Sequence, residues 1–117
     1  MGCQRHLALV FTVILAGCGS PSATILGRAP EGDPGSVAGV RAAPESSPAT
    51  LCGVMVEKCP VAGCWFILRD DTGTIKVDTK DAGFVVVDVP LKTVMTVTGR
   101  VVANGSDRMI QASGLRY

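Results

Sequence analysis

The stretch CWFILRDDTGTIKVDTK, residues 64–80, decides the fold. Phe66 and Leu68 share one face against Trp65, Ile67 and Arg69 on the other, and beyond Asp71-Thr72-Gly73 the residues Ile75 and Val77 alternate with Thr74, Lys76 and Asp78. Apolar side chains at every second position, interrupted by an acidic-glycine turn, predict two antiparallel strands with one buried face each. Working backwards, Leu51 to Lys58 is a third β-prone run, with Cys52, Val54 and Val56 on one face and Leu51, Gly53 and Met55 on the other. It reaches the 64–70 strand through the short connection Cys59 to Cys64.

Working forwards, Asp81 to Leu91 loses the alternation. Ala82-Gly83 and Pro90 break it, and the apolar run Phe84 to Val87 predicts a connecting segment that packs on the strands, with room for a helical turn. Lys92 to Ala103 is a long strand in which Gly99 marks a bend or bulge, Asn104-Gly105 is a strong hairpin signal, and Arg108 to Arg116 returns with Ile110, Ala112 and Leu115. Three strands in meander, a break and a closing hairpin predict an all-β domain over residues 50–117, a small five-stranded OB-fold-like barrel.

The N-terminal third reads differently. Arg5 and His6 precede an apolar run, Leu7 to Leu15, that is too short to span a bilayer and has the proportions of a secretory core. It ends in Leu15-Ala16-Gly17-Cys18, which resembles a bacterial lipobox. The pattern implies a signal peptide over residues 1–17, with Cys18 acylated and left as the mature N-terminus. Several acyl chains on one residue anchor far more firmly than a single chain does. Gly19 rather than Asp follows the cysteine, so in a Gram-negative host the expected site is the periplasmic face of the outer membrane. Residues 18–49 are rich in Gly, Pro, Ser and Ala and show no period, which predicts a lipidated, disordered linker with a root-mean-square span of about 30 Å.

From about Leu51 to Leu115 the chain resembles a family of uncharacterised bacterial secreted proteins and lipoproteins with an OB-like barrel. The residues that carry the resemblance are Cys59, Gly63, Cys64, Trp65, Asp71, Gly73, Gly83, Phe84 and Gly99. They follow the order of a cysteine, a spacer and Gly-Cys-Trp, then an acidic-Gly turn, a Gly-Phe segment and a strand closing on Gly. The chain departs from that pattern after Phe84, where Val85 to Val87 stand in place of an aromatic and a proline. The resemblance implies a fold and an envelope location, and no activity.

Chemistry rests on the cysteines. With Cys3 in the leader and Cys18 lipidated, Cys52, Cys59 and Cys64 remain. In an oxidising envelope two cysteines flanking a four-residue turn default to a disulfide, worth about 2 kcal/mol for so small a ring, with Cys52 a buried thiol on the first strand. The alternative is a soft-metal site, in which Cys59 and Cys64, joined by Cys52 or Met55, offer ligands suited to Cu(I). Zinc is short of ligands, because the single histidine, His6, lies in the leader. A reactive dithiol lacks a helix N-terminus behind the first cysteine, the usual means of lowering a thiol pKa. Trp65 is either a stacking platform for a saccharide or base, or a ring that packs over the turn.

Other function classes are excluded or unsupported. Eleven basic residues against ten acidic ones give a net charge of +1, with aromatics at 4%, so the basic groove and aromatic set of a nucleic-acid binder are missing. His-dependent triads are excluded, and Asp70-Asp71 reads as a turn rather than an acid pair. The expectation is a non-enzymatic, membrane-anchored binding module with an envelope protein partner, no catalytic residues and no cofactor.

Overall fold

A computed structural model describes residues 23–117. The expected signal peptide and lipobox, with Cys18, lie outside the described residues. Six strands are present: β1 (Ile25–Gly27), β2 (Pro48–Lys58), β3 (Trp65–Asp70), β4 (Gly73–Asp78), β5 (Val94–Asn104) and β6 (Asp107–Arg116). A short helix, α1 (Val37–Arg41), precedes β2, and a 3-10 turn covers Lys80–Ala82. The sheet order β1-β6-β4-β3-β2-β5 closes on itself through β5–β6, so β2 to β6 form a five-stranded barrel and β1 adds to its outside along β6. Every pairing is antiparallel except β4–β6, where Val77 and Asp78 run parallel to Ile110 and Gln111. The chain is therefore a small OB-like barrel, as its alternation predicts.

The core follows the period-2 pattern. Phe66, Leu68, Ile75 and Val77 from the meander are at most 1% exposed, and Leu51, Met55, Val97, Val101, Ile110 and Leu115 join them. On β2 the inward face is therefore Leu51, Gly53 and Met55. Gly99 sits where β5 and β6 slip register, with Thr98 opposite Gly114 and Gly99 opposite Ala112. A Cβ there would lie 2.2 Å from the Gln111 carbonyl oxygen, so the barrel can turn this corner only with glycine. The closing turn is centred on Gly105-Ser106, one residue beyond the Asn-Gly signal, with Asn104 opposite Asp107.

Residues 23–49 correct the expectation of a disordered linker. β1 pairs with the end of β6, Gly35 bridges to Leu51, and α1 buries Val37 at 0% and Val40 at 6% exposure in the barrel core. Helix α1 is five residues long, too short for a 3.6-residue period to emerge from a Gly-, Pro- and Ser-rich background, and its stability comes from tertiary contacts. Its N-terminal N–H groups are met locally by Ser36, whose Oγ accepts from Gly39 N–H at 3.0 Å. They are also met from the β3–β4 turn: Asp70 Oδ2 accepts from Val37 N–H at 2.9 Å and Thr72 Oγ1 from Ala38 N–H at 3.0 Å. Arg41, at the other end of the helix, pairs bidentately with Asp107 at 3.0 and 3.2 Å.

Asp70 thus serves two elements, since its Oδ1 also accepts from Thr72 N–H and Oγ1 at 2.7 Å each. Burial pushes its carboxyl pKa up, but the hydrogen bonds from the Thr72 hydroxyl, Val37 N–H and the turn amides outweigh that and hold it below the ordinary value. A carboxylate with a depressed folded-state pKa stabilises above its unfolded pKa of about 3.9 and loses that contribution as pH falls through the folded value. Asp70→Asn is expected to lower stability at pH 7 by about 1–2 kcal/mol. It should also flatten the acid limb below about pH 4. Urea denaturation of both proteins across pH 2–7 checks this; equal stabilities at pH 7 would show that Asp70 does not hold α1.

Candidate functional site

The connection between β2 and β3 forms one end of the barrel. Lys58 lies opposite Phe66, and Cys59 N–H donates to the Trp65 carbonyl at 3.0 Å, so Cys59 faces Trp65 rather than Cys64 across the hairpin. Gly63 N–H returns to the Cys59 carbonyl at 3.1 Å, which winds Pro60, Val61 and Ala62 into one tight turn.

The turn is clamped from below. The Gly63 carbonyl accepts from Val86 N–H at 2.9 Å and from the Thr79 hydroxyl at 3.4 Å, while Thr79 N–H donates to the Cys64 carbonyl at 2.9 Å. Thr79 is the one buried polar side chain among the described residues, and these bonds use both its hydroxyl and its amide. Gly63 has φ +62°, and a Cβ on it would lie 2.5 Å from the Val87 nitrogen. Both facts require glycine. From the other side the Lys58 ammonium donates to the carbonyls of Val86, Val87 and Val89 at 2.5–3.4 Å, tying the segment after the 3-10 turn to β2. Val86 and Val89 are buried beneath it, so the Asp81–Leu91 segment packs on the barrel as expected.

Both turn cysteines are free, half-buried thiols. This corrects the default expectation of a Cys59–Cys64 disulfide, which assumed that the two occupy directly opposed positions; the register offsets them by one residue. The Cys59 sulfur is instead surrounded by donors. The N–H groups of Ala62 and Val61 lead, and against a small opposing effect of burial the N–H and S–H of Cys64 add to them, lowering the Cys59 pKa from 9.0 to about 7. A chain reversal that points successive amides at one atom does what a helix N-terminus does elsewhere. Sequence reasoning looked for a helix behind Cys59 and missed the turn itself; Gly63, three residues past Pro60, was the available signal.

Cys52 is not part of this arrangement. It lies seven residues back along β2, about 20 Å from Cys59 at strand rise, and accepts a 3.6 Å hydrogen bond from the Thr96 hydroxyl; its sulfur is disulfide-bonded, which corrects the expectation of a buried thiol there. Met55 is fully buried in the core. The ligand set for Cu(I) that adds Cys52 or Met55 to the turn thiols is therefore not assembled, and no group of three or more metal-ligating side chains occurs among the described residues. Trp65 faces outward beside the turn, and the Lys76 ammonium stands 5.3 Å from its ring centroid, which occupies one face of the ring. A polar groove of about 590 Å³ on the β5–β6 side, holding Arg28, Arg100, Gln111 and Asp81, became visible only because residues 23–49 are folded. Its Gln111 is already bonded to Arg100 and Asp81 at 3.1 and 2.7 Å.

No family model matches the chain, and no curated protein matches it. Among solved structures it is similar to the hypothetical protein ygiW from E. coli, with a TM-score of 0.59 and 22% identity over 75% of this chain and 92% of that one. The likeness shows a shared small β-barrel fold, in an uncharacterised protein.

Two outcomes are expected at the turn. Gly63→Ala should cost about 1–3 kcal/mol in urea denaturation, because it adds both a left-handed backbone strain and a clash with Val87. An unchanged midpoint would mean that the turn is not clamped as described. In the native chain, iodoacetamide should alkylate Cys59 at a rate that rises with pH through a midpoint of about 7. A midpoint near the ordinary thiol value of about 8.5 would remove the amide nest from the account.

Proposed function

We propose that this chain is a bacterial envelope lipoprotein, anchored through acylated Cys18, whose barrel is a non-enzymatic module that binds an envelope protein partner through the end bearing the Cys59–Trp65 turn. The observation that carries the reading is the apolar rim around that turn. Val61 is 87% exposed at its tip, and Val85 and Val87, at 45% and 44%, flank the residue that bonds Gly63. Exposed aliphatic side chains gathered on one rigid feature mark a contact surface, whereas singly scattered ones do not. The rim is held at both edges, by Gly63 and by Lys58, so a partner would meet it without paying to order a loop. The near-balance of charge leaves apolar contact rather than long-range attraction as the source of affinity. With β1 beginning at Ile25, seven residues past Cys18, acylation at Cys18 would hold the barrel close to the bilayer rather than at the end of a long tether.

Cys18→Ser is expected to move the protein from the membrane to the soluble envelope fraction; retention in the membrane would contradict lipid anchoring. A photo-crosslinking residue at Val61 or Val87 should give a discrete protein adduct in intact cells, while one at exposed Glu45 should not. The same adducts from all three sites, or none from Val61 and Val87, would contradict a contact face at the turn.

A further inference from the structure

We infer that Cys59 and Cys64 are a thiol–disulfide exchange pair, in which Cys59 attacks the disulfide of a small molecule or partner protein and Cys64 resolves the product. The inference deepens the reading of this end as a contact face, and rests on it only for the approach of a protein disulfide.

Three features of the geometry carry it. Both thiols are half-buried at the tip of the barrel, so an incoming disulfide can reach them, unlike Cys52 on the barrel wall. Cys59 N–H bonds the Trp65 carbonyl at 3.0 Å and Gly63 N–H bonds the Cys59 carbonyl at 3.1 Å, so the turn closes back on Cys59 and brings Cys64, between those two partners, beside it. The amides of Val61, Ala62 and Cys64 aim at Cys59 and are placed there by the turn before any reaction. Stabilising the thiolate favours the reduced form, which makes the corresponding disulfide more oxidising and more easily reopened than a structural staple. The one-residue offset in the hairpin agrees with this, since the pair is not held in the directly opposed positions of a cross-strand bridge.

The Cys59 thiolate attacks one sulfur of RS–SR; the S–S bond breaks, a Cys59–S–S–R bond forms, and RS⁻ leaves. Cys64 then loses its proton to solvent and attacks the Cys59 sulfur, expelling the second RS⁻ and closing Cys59–Cys64. The protein dithiol is oxidised by two electrons, the added disulfide is reduced to two thiols, and the two protons released from the protein go to solvent or to the leaving thiolates.

The test uses the full chain, purified from membranes, with glutathione disulfide as the probe and the reaction read on the tryptic peptide 59–69, which separates the pair from Cys52. In Cys64→Ser, Cys59 should take up one glutathione and keep it. It should react about fivefold faster at pH 6 than in the same chain unfolded in urea, a net gain of thiolate fraction over reduced nucleophilicity. In the unaltered chain the glutathione should be expelled, leaving the pair short of two hydrogens, and millimolar reduced glutathione should reopen it. Retained glutathione on the unaltered chain, equal rates folded and unfolded, or an oxidised pair that resists reopening would each overturn the inference, the last in favour of a structural disulfide. Glutathione disulfide needs no docking face. Loss of exchange with cross-linking at Val61 intact therefore sinks the exchange alone, and the reverse result sinks the contact face alone.

Discussion

The barrel is closed by a seam only two residues long. Val77 and Asp78 of β4 run parallel to Ile110 and Gln111 of β6, and this pairing joins the β2–β3–β4 meander to the β5–β6 hairpin. A parallel pair cannot be made by a tight turn, so the chain must cross the end of the barrel between β4 and β5. That crossing is the segment from Thr79 to Thr93, and everything at the candidate site follows from where it is pinned. Its Val86 and Val89 are buried under the barrel end, its Val86 N–H meets Gly63, and its carbonyls receive Lys58. The β2–β3 turn is thereby fixed against a second piece of backbone, and the cysteines on it are fixed as well.

A pinned turn is a different chemical object from a mobile one. The N–H groups of Val61 and Ala62 have no strand partner, because the hairpin ladder ends at Cys59 and Trp65. Both residues are exposed at the tip of the turn, and their amides point at the Cys59 sulfur. The same geometry that satisfies the amides supplies a site for negative charge, and Gly63 is the residue that permits it. The fold thus provides, at the open end of a barrel with little net charge, a reactive group that does not depend on a metal, a histidine or a helix.

Much of this was legible in the sequence where strands are long. Phe66/Leu68 and Ile75/Val77 named their buried face unaided, and Gly99 marked the register slip. Residues 23–49 were not legible, because β1 and α1 are three and five residues long and are stabilised by partners far along the chain: Arg116 for Ile25, Asp70 and Thr72 for α1. A period needs more residues than either element has. The site was half legible. Cys59, Cys64 and Trp65 stood out, but their relation depends on a register set by Lys58 and Phe66, and on amide directions that composition does not encode. Lys76 covering Trp65 is a diagonal cross-strand contact of the same kind, visible only once β3 and β4 are aligned.

The central claim is that the turn amides hold a thiolate on Cys59. Its most direct test is an NMR pH titration that follows the Cys59 Cβ together with the amides of Val61 and Ala62. The account expects all three to shift with one shared midpoint of about 7. A Cβ that titrates near the ordinary thiol value of about 8.5, with the two amides silent, would contradict it.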